Sequence, residues 1–327
     1  MTDTASSAYF LPPGHRLLPT ELDHVTPTFR GLWFAGDPGA LVHRPRVGII
    51  GSRHPRPDAR DVARRIARDA ARAGLVVVSG LAIGIDGIAH QAAIDGGAPT
   101  IAVLAGGLAR VQPASNRRLA RQIAGSATSL GVQEGIHDRA AGLVVSEYGP
   151  GTESAHPYRF LERNRIIAAL SDYLVVVQAR TDSGSMRTAS DALALGVQVG
   201  VLPSSPDDPC HGGTTSLLRD GADPIVDGTS LLRRMEGHDL LPRGFADAAE
   251  HGARLDPSEP RGWSSGDQPA QLVLGDDPVI GRLDVPRTAE EVADHARMPL
   301  RDVRLHLLEL ELDGYVQHRP DGTWARC

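Results

Sequence analysis

Four segments of this 327-residue chain place Gly, Ser and Arg together just after short apolar runs. They are Gly51-Ser52-Arg53, Ser79-Gly80-Leu81-Ala82 running through Gly84-Ile85-Asp86 to His90, Ala105-Gly106-Gly107, and Ser183-Gly184-Ser185-Met186-Arg187-Thr188. Glycine lets backbone amides approach an oxyanion, Ser and Thr hydroxyls add donors, and Arg adds a bidentate charge. Any one of these glycines equally well closes a tight turn. Four such loops in register point to an anion site, with phosphate as the anion. A fifth segment, Phe160-Leu161-Glu162-Arg163-Asn164-Arg165 and on to Ser171, carries the apolar positions of a helix that packs against a sheet. Arg163, Asn164 and Arg165 are expected in its first turn, where free N–H groups favour phosphate. Phe160 offers a ring for base stacking, worth about 1–3 kcal/mol per base, or else anchors the start of the helix as plain apolar packing.

Several other chemistries are excluded. Gly48-x-x-Gly51 is not G-x-G-x-x-G, and no acidic residue closes the second strand to hold a ribose. All 34 basic residues are Arg, so a Walker A loop with its lysine does not exist. The 13 His show no zinc spacing, and His211 beside Cys210 reads as a loop residue. Neither cofactor nor metal is expected. Two cysteines, Cys210 and Cys327, make no disulfide framework, which points to a reducing cytoplasm. No apolar stretch approaches the ~18 residues of a membrane span, and residues 1–9 lack the basic and apolar regions of a signal peptide.

The elements that must carry these loops alternate between strand and helix. Strands are expected at Val47–Ile50, Leu75–Val78, Thr100–Leu104, Leu143–Val145, Tyr173–Val177 and Val197–Leu202. Helices are expected at Asp58–Ala73, Ile85–Ala93 and about 115–124, 160–171 and 184–195, with 125–141 as an inserted loop. The fold class is α/β, a doubly wound Rossmann-like parallel sheet, in which ligands bind beyond the carboxyl ends of the strands. Residues 1–44, rich in proline, form an irregular lead-in to a 45–234 body.

Charge divides the rest. The chain carries net −6, which argues against a protein that coats nucleic acid by charge alone. Residues 235–278 alone hold net −6, with 9 acids and 3 Arg, and read as an acidic flexible linker. Residues 44–72 hold 9 Arg against 3 acids. Residues 279–327 carry net −2; helices at Thr288–Ala296 and Leu300–Leu312, then a hairpin around Pro320-Asp321-Gly322, read as a small winged-helix domain. Its second helix would read DNA, yet sets Arg301, Arg304 and His306 against Asp302, Glu309, Glu311 and Asp313. Phosphate neutralisation supplies most non-specific affinity, so contact with protein, or self-regulation, is favoured over duplex reading.

Taken in order, these segments resemble the DprA/Smf family of DNA-processing proteins over about residues 15–230. The matching residues are Gly51-Ser52-Arg53, Ser79 to Ala82, Gly84-Ile85-Asp86, Ala89-His90, Thr100 to Leu104, Ser146-Glu147, Phe160–Ser171, Ser183-Gly184-Ser185 with Thr188-Ala189, and Gly221-Ala222. The resemblance implies single-stranded DNA binding without sequence preference, a homodimer, delivery of the strand to the RecA recombinase in natural transformation, and no chemical turnover. Carried over by position, the implied DNA contacts are Gly51, Ser52, Arg53, Ser79, Gly80, Phe160, Arg163, Asn164, Arg165, Ser183 and Gly184. Asp86 and His90 also match, with a role in holding the loop after the second strand. Ala105, Gln178, Pro203-Ser204 and Thr215 depart from the family pattern, where glycine, an acidic residue, Pro-Gly and Asn are usual.

Two rival readings stand beside this one. Gly149-Pro150-Gly151-Thr152-Glu153 resembles the Gly-rich loop and catalytic Glu of related Rossmann-like enzymes that cleave the base from a nucleoside monophosphate, although Pro150 breaks the paired glycines. A protein that senses DNA or a nucleotide in defence would use the same site.

Overall fold

The computed structural model describes residues 9–43, 45–125, 142–152, 156–250, 278–283, 285–312, 315–319 and 321–326. The expected inserted loop at 125–141 and Glu153 of the rival enzyme motif fall outside them, Gly125 excepted. The chain forms two compact units, Met1–Glu259 and Pro260–Cys327.

In chain order the first unit runs β1 (Tyr9–Leu11), β2 (Leu32–Gly36), α1 (Gly39–Val42), β3 (Arg46–Ile50), α2 (Pro57–Arg72), β4 (Val76–Ser79), α3 (Ile85–Gly96) and β5 (Thr100–Val103). It continues with α4 (Arg117–Ala124), β6 (Gly142–Ser146), α5 (Pro157–Ala169), β7 (Tyr173–Val176), α6 (Gly184–Ala194), β8 (Gln198–Val201), α7 (Gly212–Arg219), β9 (Asp223–Pro224), α8 (Gly228–Gly237) and α9 (Phe245–Glu250). One nine-stranded sheet has the order β1-β2-β6-β5-β4-β3-β7-β8-β9. From β6 to β9 every pairing is parallel. Strands β3 to β7 are buried along their whole length, as expected of parallel strands covered on both faces. The alternation of strand and helix therefore gives the α/β sheet that it predicts.

Helix α2 starts with Pro57 at its first position, where the missing N–H costs nothing. Its Ala59, Ala63, Ile66, Ala67 and Ala70 form one buried stripe against β3, β4 and α3. Small residues on that stripe let α2 and α3 pack closely. Helix α3 ends at Gly97, whose left-handed backbone (φ +88°) lets its amide donate to the Ala93 and Ile94 carbonyls.

The structure corrects two boundaries. The lead-in is not wholly irregular: β1 pairs antiparallel with β2, and β2 antiparallel with β6, extending the sheet at that edge. Four prolines within 12–27 hide the strand signal of Leu32-Trp33-Phe34-Ala35. Nor does a tether begin at 235. Asp227 caps α8 by accepting from the Ser230 amide at 2.7 Å. Met235, Leu241, Phe245 and Ala246 lie in the core beneath α2, which carries the ordered body through Glu250. Acidic exposed positions such as Asp239 and Asp247 outweigh four buried apolar ones in a composition window.

Among its described residues the second unit holds a 3₁₀ turn (Ile280–Arg282), α10 (Ala289–Ala296), α11 (Leu300–Leu312) and the antiparallel hairpin of β10 (Val316–His318) and β11 (Trp324–Arg326). Arg287 forms an isolated antiparallel bridge to Trp324. Thr288 and Glu291 form a capping box on α10. Helices followed by a hairpin make the winged-helix arrangement expected.

Replacing Phe245 tests the corrected boundary. Phe245→Ala should lower the unfolding free energy by about 3–5 kcal/mol, the cost of emptying a core site. A change in chemical denaturation under about 1 kcal/mol would put Phe245 in the tether after all.

Candidate functional site

The sheet reverses its direction of growth at β3. From β3 the chain steps outward through β4, β5 and β6, then returns to lay β7 on the other side of β3. In an open parallel sheet the loops after the two strands at such a reversal part and leave a crevice at their carboxyl ends. Here those loops carry Gly51-Ser52-Arg53 after β3 and Ser183-Gly184 after β7.

Helix α5 closes the crevice from the side, and its position differs from the expected one. It begins at Pro157 behind His156, not at Phe160. Arg163, Asn164 and Arg165 therefore lie beyond the first turn, away from the free amides, and all three are buried (5%, 8% and 3% exposed). The Arg163 Nη1 donates to the Gly80 carbonyl and, at 2.6 Å, to the Val103 carbonyl, so one guanidinium joins the ends of β4 and β5. Its Nε donates to Asn164 Oδ1 at 3.2 Å, and Asn164 Nδ2 donates to the Gly184 carbonyl at 3.2 Å. That chain of bonds sets the start of α6 relative to the ends of β4 and β5. Arg165 donates to Glu147 Oε2 at 2.8 Å in a buried ion pair, and Glu147 Oε1 accepts from the Arg30 amide at 3.1 Å. The Arg163-Asn164-Arg165 run is internal framework.

The loop after β4 is held in the same way. Ser79 is fully buried and its hydroxyl donates to the Ile49 carbonyl at 2.6 Å, leaving it no free donor. Asp86 Oδ2 accepts from the Gly80 amide at 3.1 Å. Burial pushes the Asp86 carboxyl above its ordinary range, against the pull of Arg163. Burial also lowers Arg163 to about 10, with Asp86 opposing. Thr100 Oγ1 donates to the Val77 carbonyl at 2.7 Å, so it accepts from the Nδ1–H of His90, also at 2.7 Å. Burial, then the nearby Arg163 charge, push His90 down to about 3, so the ring is neutral. Gly80 is glycine for a packing reason: a Cβ there would fall on the Arg163 guanidinium. Gly51 is likewise confined, its Cβ direction meeting Ile85 at 2.8 Å.

What remains exposed makes a different set. Arg53 is exposed and lies over the Phe160 ring, 5.2 Å from its centroid. Phe160 is half-buried and shares a small cavity with Leu104, Ala105, Gly106, Arg110 and Gln112. Ser52 Oγ accepts from the His54 amide at 3.1 Å, which shapes the loop. Ser183 stands at the N-cap of α6 without a side-chain capping bond, and Gly184 is exposed, with only Asn164 Nδ2 near its Cβ direction, at 3.8 Å. Helix amides at that end face the crevice side with a favourable dipole for an anion. Of the eleven residues named from the sequence, Ser52, Arg53, Phe160, Ser183 and Gly184 border this surface. Ser79, Gly80, Arg163, Asn164 and Arg165 lie beneath it, and Gly51 sits at its hinge.

Three further residues take parts that no local sequence pattern marks. Gln178, 2% exposed, accepts from the Arg56 amide at 3.0 Å and ties the end of β7 to the loop after β3. The amide carbonyl serves here as a carboxylate would, so the departure from an acidic residue costs no bond. Arg110 and Gln112 reach Phe160 through a loop after β5 that has no local pattern to mark it. Among the described residues no cluster of three or more His, Cys, Asp or Glu is placed to hold a metal. His211 is spent on Thr214 Oγ1, at 3.3 Å. No described helix is long and apolar enough to cross a membrane.

Comparison with known proteins places this geometry. The model of the DNA recombination-mediator protein A family matches residues 10–236, and that of the DprA winged helix domain matches residues 268–322. The chain belongs to the DNA recombination-mediator protein A family. Among its family relatives, Protein Smf of Synechocystis is 32% identical over 88% of this chain and 73% of its own. The structure of DNA processing protein A from Streptococcus pneumoniae superposes with TM-score 0.61 at 30% identity, covering 70% of this chain and 75% of that one. DNA processing protein A from Helicobacter pylori, described for its single-stranded DNA binding mode, superposes with TM-score 0.60 at 28% identity over 72% of this chain and 99% of its own. In this family member the Phe160–Ser171 motif thus builds the framework of the crevice.

The buried imidazole gives a pH dependence with a definite sign. Folding keeps His90 neutral down to about pH 3, while an unfolded imidazole takes up its proton near about 6.5. Between those values the unfolded state binds the extra proton, so stability falls as pH falls, by up to about 1.4 kcal/mol per pH unit. His90→Gln should flatten the dependence of unfolding free energy between about pH 6 and pH 5. Equal slopes for the two proteins would contradict a neutral His90.

Proposed function

We propose that the chain is a cytoplasmic DNA-processing protein that binds single-stranded DNA without base-sequence preference and hands it to a RecA-type recombinase in transformation and recombination. The reading rests on one observation above the rest: an exposed Arg stacked on a ring, Arg53 over Phe160, beside the open start of α6 at the reversal point of the sheet. Arg and helix amides take phosphates, a ring takes the face of any base, and neither reads sequence. The single-stranded DNA binding reported for the Helicobacter pylori relative supports the same ligand. The titratable groups nearest the loops, Asp86 and His90, are committed to the fold, which favours binding over turnover.

A homodimer is part of the proposal, carried from the family. The winged helix is proposed to contact protein in preference to duplex DNA. Within that unit Arg304 pairs with Glu290 at 2.6 Å, so this arginine of the second helix is answered by an acid of the first.

Fluorescence anisotropy with oligo-dT at graded salt tests the site. Phe160→Ala should weaken binding by roughly tenfold, the loss of one stacked base. Arg53→Ala should reduce the slope of log affinity against log salt by about 0.7, one phosphate contact on a single strand. Mixed-sequence and dT strands of one length should bind alike. Wild-type affinity and salt slope in both variants would refute the site. Strand binding without any gain in RecA filament formation on strands coated with single-strand-binding protein would refute the hand-off.

A further inference from the structure

We propose that the bound strand continues from the Gly51–Arg53 loop into a second segment of the site, an open trough between α2, α3 and α4. The proposal rests on single-strand binding at the reversal point. The trough is lined by α2, α3 and α4 and takes no residue from α5.

The trough has a volume of about 690 Å³ and is open along its length. Its floor is one face of α3: residues 84, 87, 88, 91, 92 and 95 all line it, at the three- and four-residue spacing of a helix. Eleven residues of helix give about 16 Å, the axial length of about five stacked nucleotides. One end of the floor adjoins the first site directly. Gly84 has φ +85°, and a Cβ there would collide with the Ser52 carbonyl, so the trough begins where the Gly51–Arg53 loop ends.

The walls supply donors. Arg64 projects from α2 and Arg118 from α4, with Gln91 and Gln122 between them. Arg118 has no ion-pair partner among the described residues. Among the described residues Arg64 is held by Asp61 alone, at 2.7 Å on the exposed surface, a pair of little net worth that a phosphate can replace. The one acid in the trough, Asp95, stands at the far end and is occupied, accepting from Gln91 Nε2 at 2.9 Å and facing Arg68 at 3.8 Å. Asn116 fixes the second wall: its Nδ2 donates to the Leu81 and Ala82 carbonyls at 2.9 and 3.0 Å, joining the start of α4 to the loop after β4. Aliphatic Ile83, Ile88 and Leu119 face the same space, and no aromatic ring lines it. A trough with two guanidiniums, side-chain amides and no ring grips a backbone rather than bases, so its contribution is electrostatic and sensitive to salt.

Strand length separates this segment from the first. The full-length protein is titrated with oligo-dT of about six and about twenty nucleotides. Arg64→Ala combined with Arg118→Ala should leave the short strand within about twofold of wild type, weaken the long one about tenfold, and lower its salt slope by about 1.4, two phosphate contacts. Gln122→Glu, which removes no cation and sets a carboxylate in the trough, should give the same length-selective loss. Equal loss on both lengths, or loss on neither, overturns the trough while leaving the first site standing. Wild-type protein that binds neither length overturns both.

Discussion

One buried guanidinium holds the site together. Arg163 reaches from α5 to the carbonyls that end β4 and β5, and through Asn164 to the first residue of α6. Both carbonyls take a charged donor from Arg163, and a buried acceptor that loses its donor costs about 1–3 kcal/mol. Asp86, itself buried and holding the Gly80 amide, supplies the nearby negative charge that makes a desolvated arginine tolerable. Gly80 must be glycine because the guanidinium occupies the place of its side chain. Removing Arg163 takes their shared donor from the Gly80 and Val103 carbonyls and from Asn164 Oδ1 in a low-dielectric interior.

That framework explains why the exposed rim has the form it does. With α5 fixed from within, Phe160 is presented on its outer side under Arg53, and Gly184 is set beside the crevice with its amide end open. Gln178 completes the arrangement from β7 by holding Arg56, just beyond the Gly51–Arg53 loop. Rigid strands and a buried polar network thus position short loops that have little packing of their own. The basic stretch at 44–72 adds to this on its exposed side, since Arg64 faces the trough along α3.

Much of this was legible in the sequence. Alternating buried runs and helical stripes gave the parallel sheet, and the Gly, Ser and Arg residues clustered at its carboxyl ends as expected. Less legible was which of the matched residues face outward. Arg163-Asn164-Arg165 reads as a basic surface because charge predicts exposure, whereas α5 starts earlier, at Pro157, and Arg163 turns inward to the carbonyls at the ends of β4 and β5. A window of charge and proline likewise concealed β1, β2 and α9, whose few apolar residues count only once the sheet edge and α2 are in place to receive them. Net charge is no better a guide: −6 over the whole chain says nothing about a crevice bordered by an exposed arginine, a ring and a helix terminus.

Equilibrium unfolding of Arg163→Ala, measured beside Arg53→Ala, tests the central claim most directly. The framework role predicts that Arg163→Ala loses about 3–5 kcal/mol of unfolding free energy, as a buried charge network broken at one partner does. Arg53→Ala should stay within about 0.5 kcal/mol of wild type. An Arg163→Ala protein of wild-type stability that has lost only its affinity for single-stranded DNA would contradict the account, and would return Arg163 to the binding surface.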